Sequence, residues 1–173
     1  MCGISGFNFE DKELVQTMNE CIKHRGPDGE GVWIDDGISL GHRRLAILDV
    51  SESANQPMVS NDGNLVVVFN GEIYNFRELR DELSAYYSFK TSGDTEIILA
   101  AYEKWGPDCV KKFNGIFALV IWDRNKKELF LARDHLGVKP LYYYHNNGKF
   151  VFSSEIKGIL VLSEISFIIK SIS

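Results

Sequence analysis

Cysteine is scarce in this chain: three in 173 residues, an odd number without metal-type spacing. That excludes a disulfide framework and fits a reducing cytoplasm. Proline is nearly as scarce, at four, and no Pro/Ser-rich tract, internal repeat or low-complexity segment divides the chain. A single domain with a real core is therefore expected. No apolar run approaches membrane-spanning length. No secretory signal is present, because Glu10, Asp11 and Glu13 follow at once on small, mixed residues. Basic charge is not in excess either. Nineteen Lys and Arg against 24 Asp and Glu leave a net charge of -5, so nothing electrostatic points to nucleic acid or an anionic membrane as partner. There is no Gly-x-Ser-x-Gly elbow, no Walker A loop and no zinc-type His/Cys cluster. What remains is the balance of an ordinary globular protein, 45% hydrophobic and 25% charged.

Periodicity predicts the elements. Residues 4–9 alternate as a strand. Leu14, Val15, Met18, Cys21 and Ile22 share one helical face, which makes Cys21 a core residue. Residues 31–34 and 38–42 form a hairpin around Asp35-Asp36-Gly37, so these aspartates are turn residues rather than metal ligands. Residues 65–69 are an unbroken apolar run, a strand buried on both faces that ends at Asn70-Gly71-Glu72. Asn75 with Glu78 three residues on predicts a capping box and a helix to about Leu83. Asp94 opens the next helix, and Gly106-Pro107 stops it. Strands follow at 116–122, 129–133, 141–145 and 150–153, then a short helix over 155–162. Eight or nine strands, largely in hairpins, and four or five helices predict an α+β fold with antiparallel sheets inside and helices outside.

One residue stands out against this background. Cys2 follows the initiator methionine in Met1-Cys2-Gly3-Ile4-Ser5-Gly6-Phe7. Taken alone it reads as a small buried apolar residue. If Met1 is removed, it carries a thiol and a free α-amine on one carbon, a nucleophile and a base together. With a pKa of about 7.8, roughly a seventh of that amine is unprotonated at pH 7, which suits a general base.

Four further motifs follow in order: His24-Arg25-Gly26-Pro27-Asp28, Gly41-His42-Arg43-Arg44-Leu45-Ala46-Ile47-Leu48-Asp49, Asn70-Gly71-Glu72-Ile73-Tyr74-Asn75 and Arg133-Asp134-His135-Leu136-Gly137-Val138-Lys139-Pro140-Leu141-Tyr142. Together with Cys2 they resemble the class II glutamine amidotransferases, a branch of the N-terminal nucleophile hydrolases. Within these the chain is most similar to the glutaminase domain of asparagine synthetases. The resemblance implies a four-layer αββα sandwich of two mainly antiparallel sheets.

It also implies roles. Cys2 would attack the side-chain amide carbon of glutamine, with its own α-amine taking the thiol proton through a water. The side-chain amide of Asn70 and the backbone N–H of Gly71 would hold the oxyanion. Arg44 would grip the substrate α-carboxylate, since Arg43 beside it faces the other way if the segment is extended. Backbone groups of Leu45, Ala46, Ile47 and Leu48 would help. Asp94, with Glu72 close by, would pair with the α-ammonium; read from the residues alone, Asp94 is a helix cap that could serve both ends, and Asn70-Gly71 a plain turn. A His24–Cys2 dyad is disfavoured, because the amine already supplies the base. Arg25-Gly26-Pro27 is implied to support the site. His42 and His135 read as structural, and Cys109 as helical packing.

The implied domain spans residues 1–163. Residues 164–173 do not resemble the usual family continuation, which fits a natural truncation, a frameshifted tail or a split gene. The Ser-Gly-Gly-x-Asp-Ser pyrophosphate loop of the synthetase domain is missing. No metal or cofactor is expected in this domain; ATP and magnesium belong to the absent synthetase domain. The expected partners are glutamine and a synthetase domain or subunit that takes the ammonia, and a homodimer is compatible with the pattern. Two alternatives stay open: an asparagine-synthetase-like amidation of a sugar or peptide precursor, and a non-catalytic glutamine-binding module if Met1 is retained. The His24-to-Asp28 motif disfavours phosphosugar chemistry.

Overall fold

A computed structural model describes residues 1–46 and 54–162. Ile47 and Leu48, and the tail from 164 on, lie outside the described residues. Among the described residues nine strands form two antiparallel sheets. The first sheet has five strands. β1 (Gly3–Phe7) lies at its centre, flanked by β3 (Ile38–Arg44) and β9 (Lys149–Ser153), with β2 (Gly29–Asp35) and β8 (Tyr142–Asn146) outside them. The second sheet runs β4 (Met58–Val59), β5 (Leu65–Ile73), β6 (Gly115–Asp123), β7 (Glu128–Arg133). The β2–β3 turn closes on Asp36-Gly37, where Gly37 takes φ +80°, a conformation that favours glycine.

Three apolar layers hold the stack together. Ile4, Leu40 and Phe152 of the first sheet meet Val66, Val68, Ala118 and Val120 of the second, all without solvent exposure. Burying an aliphatic side chain of this size contributes about 1.5–3 kcal/mol. On the outer face of the first sheet, Val15 and Met18 of α1 (Lys12–Cys21) pack with Phe7, Val151 and, from α4 (Ile156–Ile159), Ile159. On the outer face of the second, α2 (Phe76–Leu83) and α3 (Thr95–Trp105) supply Leu79, Leu83, Ile97, Ile98 and Ala101. This is the four-layer αββα arrangement. The apolar run 65–69 is buried on both faces because its strand separates two of these layers.

Three local expectations are corrected. The strand that carries residues 65–69 does not end at Asn70-Gly71-Glu72; β5 continues to Ile73, paired along its length with β6, Asn70 opposite Ala118 and Gly71 opposite Phe117. Asn70-Gly71 is therefore strand, not turn, because ladder pairing outweighs the local turn preference. Asn75 does precede α2, but no capping box forms. Its side chain instead accepts from the Asn114 N–H and donates to the Lys112 carbonyl, each at 2.9 Å, tying α2 to the entry of β6. The last helix covers only Ile156–Ile159. No helix among the described residues is long and apolar enough to cross a membrane.

Candidate active site

The site forms where strands of both sheets end beside one another. β1 and β3 pair with Gly3 opposite Arg43, so Cys2 and Leu45 emerge from the same end of the first sheet. The Leu45 N–H points at the Cys2 sulfur at 3.4 Å, and the thiol faces the Leu45 carbonyl at 3.7 Å. β5 brings Asn70, Gly71 and Glu72 up from the second sheet, and the N-terminus of α3 contributes Asp94.

A cavity of about 130 Å³ lies among these groups. Its lining includes Cys2, Arg44, Leu45, Ala46, Asn70, Gly71, Glu72 and Asp94. Met1 stands at its edge, half-exposed. Every described residue expected at a glutamine site thus reaches one cavity. Arg43 does not: it is buried, donates to the Gly26 carbonyl at 3.2 Å and pairs with Glu30 at 3.1 Å. The alternation of an extended chain separates the two arginines. Arg44 lines the cavity and its Nη1 donates to Asn55 Oδ1 at 2.6 Å.

The electrostatics suit a zwitterion. The cavity holds a guanidinium at Arg44 and carboxylates at Glu72 and Asp94. Asp94 is buried, and burial, reinforced by the negative charge of Glu72, raises its pKa despite the hydrogen bond it accepts from the Ile73 N–H at 2.9 Å. A cation between the two carboxylates would relieve that repulsion. Asp94 precedes α3 but makes no capping bond with its side chain. Its carboxylate faces β5.

Two buried polar atoms in the cavity lining, Asn70 Nδ2 and His42 Nδ1, find no protein partner among the described residues. Such atoms cost about 1–3 kcal/mol each unless something bonds to them. Asn70 thus presents a free amide donor. His42 is fully buried between the sheets, its Nε2 3.3 Å from the Phe69 carbonyl, and desolvation drives its pKa down to about 3. The ring is neutral at working pH, with Nε2 as donor and Nδ1 as acceptor. Sequence reasoning placed His42 in the structural frame; the fold puts it in the cavity lining. Gln56 and Thr95 were also missed. Gln56 accepts from the Phe69 N–H at 2.6 Å and donates to Thr95 Oγ1 at 3.3 Å, bracing β5 against α3. Lys139 lines the cavity as well, and only its place in a motif signalled it. His24 is absent from the lining, which leaves a His24–Cys2 dyad without geometric support.

Comparison with known proteins places the chain in a family. A glutamine amidotransferase domain family matches residues 1–171, and the chain belongs to that family. It is 46% identical, over 96% of its length, to a putative glutamine-hydrolysing asparagine synthetase of Methanocaldococcus jannaschii, of which it covers 36%. It is 44% identical, over 93%, to asparagine synthetase 1 of Bacillus subtilis, covering 27%. The chain thus spans about a third or less of these relatives. The fold matches glutamine phosphoribosylpyrophosphate amidotransferase of Bacillus subtilis with a TM-score of 0.79 at 20% identity, over 92% of this chain and 43% of that one. The αββα sandwich is therefore the N-terminal nucleophile hydrolase fold of the class II amidotransferases.

Proposed function

We propose that the chain hydrolyses glutamine to glutamate and ammonia through a Cys2 thioester, and that the ammonia serves ATP-dependent synthesis of asparagine from aspartate. The observation that carries the reading is the convergence of the Cys2 thiol, the unpartnered Asn70 amide, Arg44 and the Glu72/Asp94 pair on one cavity. Glutamine fits with its α-carboxylate on Arg44, its α-ammonium between Glu72 and Asp94, and its side-chain amide at Cys2. Leu45 and Ala46 border the same space.

In the proposed reaction, removal of Met1 frees the Cys2 α-amine. The amine takes the thiol proton through a water, and sulfur attacks the amide carbon. Asn70 Nδ2 and the Gly71 N–H hold the resulting oxyanion. The C–N bond breaks as the amine returns the proton, and ammonia leaves. Water then cleaves the thioester to glutamate and regenerates the thiol. The domain needs no cofactor for these steps. ATP and magnesium would act in the synthetase domain or subunit that receives the ammonia, in the cytoplasm.

The test is a glutaminase assay beside an intact-mass measurement. The chain should lose Met1 and release glutamate and ammonia, and Cys2→Ala or Cys2→Ser should abolish release. A near-normal rate in either variant overturns the nucleophile assignment.

A further inference from the structure

Outside the glutamine cavity, one carboxylate sits among a guanidinium, an ammonium and an imidazole. Glu155 stands between β9 and α4. Its Oε1 accepts from His24 Nε2 at 2.8 Å and from Arg25 Nη1 at 3.1 Å, and its Oε2 faces Lys157 Nζ at 3.3 Å. Burial works to raise its pKa, but hydrogen bonds from Arg25, His24 and Lys157 prevail and hold it below the usual range. Of these three partners only Arg25 is largely enclosed, its side chain 9% exposed against 55% for His24 and 51% for Lys157. Arg25 turns inward, and its Nε donates to the Cys2 carbonyl at 3.0 Å. Neither Arg25 nor Glu155 lines the glutamine cavity.

The neighbouring residue secures the chain just beyond. The Ser154 N–H donates to the Ile4 carbonyl at 2.8 Å, and the Ile4 N–H donates to Ser154 Oγ at 2.9 Å. Ser154 and Glu155 therefore act on both sides of Gly3, one directly and one through Arg25.

We propose that Glu155 is a positioning residue for the Cys2 thiol and acts through Arg25; this rests on the glutaminase reading above. A guanidinium is a rigid planar fork of donors. Held only by the Cys2 carbonyl, the fork can swing about its own stem. A second, charge-assisted contact at Nη1 fixes the plane, and with it the direction of the Nε–H bond. Cys2 lies outside the ladder of β1, so this bond supplies from the side what strand pairing supplies to the residues after it. The reacting sulfur is one residue's geometry away from that carbonyl, and a misplacement of about 1 Å at a reacting atom costs on the order of a hundredfold.

The test compares Glu155→Gln, Glu155→Asp, Arg25→Ala and the Arg25→Ala/Glu155→Gln double variant. Glu155→Gln should lower kcat for glutamine hydrolysis about tenfold and leave KM within about twofold, because the groups that hold glutamine lie elsewhere. Iodoacetamide alkylation of Cys2, followed by peptide mass, should slow as well, with no glutamine present. Glu155→Asp keeps the charge on a shorter stem and should recover part of the loss. In the Arg25→Ala background, Glu155→Gln should add nothing. Thermal melts on the same samples identify any variant that fails to fold, and Glu155→Asp then carries the comparison. An unchanged kcat, a raised KM in place of a lowered kcat, or additive effects in the double variant overturn the proposal. If the unmodified chain has no glutaminase activity, or Cys2→Ala retains it, the underlying reading fails instead, and the alkylation rates still decide whether Glu155 positions Cys2.

Discussion

The Asp94 carboxylate accepts a hydrogen bond from the Ile73 N–H at 2.9 Å, joining the head of α3 to the end of β5 beside Glu72. The bond aims a buried carboxylate at the strand rather than at its own helix. Burial first, and the negative charge of Glu72 second, disfavour the ionised form of Asp94. A cation placed beside the pair would offset that penalty. If glutamine binds as proposed, Asp94→Asn should weaken it by about 2–5 kcal/mol. Binding to the inactive Cys2→Ala variant should also weaken as pH falls from neutrality, beginning at a higher pH than an ordinary aspartate would give. The sign follows from the raised pKa: Asp94 takes its proton at a higher pH than an ordinary aspartate, and the neutral acid cannot pair with the ammonium. Calorimetry on Cys2→Ala with and without Asp94→Asn measures both effects. Affinity that ignores pH in both proteins argues against the pairing.

Asn70 tests the oxyanion assignment. Its Nδ2 is buried and has no protein partner among the described residues. Asn70→Ala removes the donor without removing Arg44, Glu72 or Asp94. We expect kcat to fall by about a hundredfold or more, about 3 kcal/mol of transition-state stabilisation, with little change in KM. Steady-state glutaminase kinetics give the answer. A large KM effect with an intact kcat would mean that Asn70 holds ground-state glutamine instead.

Much of this was legible in the sequence, for physical reasons that differ from place to place. The apolar run 65–69 announced a strand between two layers, and Asp36-Gly37 announced a hairpin, because burial and positive φ leave direct marks on residue choice. The end of β5 was hidden. Asn-Gly carries a turn signal, and only the partner strand, 45 residues or so along the chain, overrides it. His42 was hidden by a different cause. It alternates with its neighbours like any strand residue, and nothing local reveals that its side of the strand opens on a cavity. Gln56 bonds to Phe69 and Thr95, which are remote in sequence, so no spacing rule could have found it.

Gly71 has a structural duty apart from any part in an oxyanion hole. A Cβ there would collide with the Ile116 carbonyl and come within 2.7 Å of Phe117 Cα on the paired strand. Backbone cannot yield as a side-chain tip can. Gly71→Ala should therefore destabilise the fold by about 1–3 kcal/mol, the usual cost of overpacking. Urea unfolding of Cys2→Ala with and without Gly71→Ala isolates this cost from any effect on turnover. Equal midpoints would show that β5 and β6 can part slightly at no cost.

His42 makes a prediction about acid stability that does not depend on glutamine. The ring is fully buried, and desolvation lowers its pKa from 6.5 to about 3. In the unfolded chain it titrates normally. Between those two values the unfolded state binds a proton that the folded state refuses, so stability falls as pH falls. The full contribution is present above pH 6.5 and is lost progressively toward pH 3, at about 1.4 kcal/mol for each pH unit well inside that window. Other carboxyls also respond to acid, among them Glu155 and Asp134, whose lowered pKa values act in the same direction at lower pH. The difference between proteins isolates the histidine. His42→Gln keeps a side-chain amide near the Phe69 carbonyl but has no proton to gain. Its urea midpoint should lie below that of the parent near neutrality, and the gap should narrow as pH drops through about 6 and about 5. A gap that stays constant across that range would place the His42 pKa near its ordinary value and overturn the neutral-ring assignment.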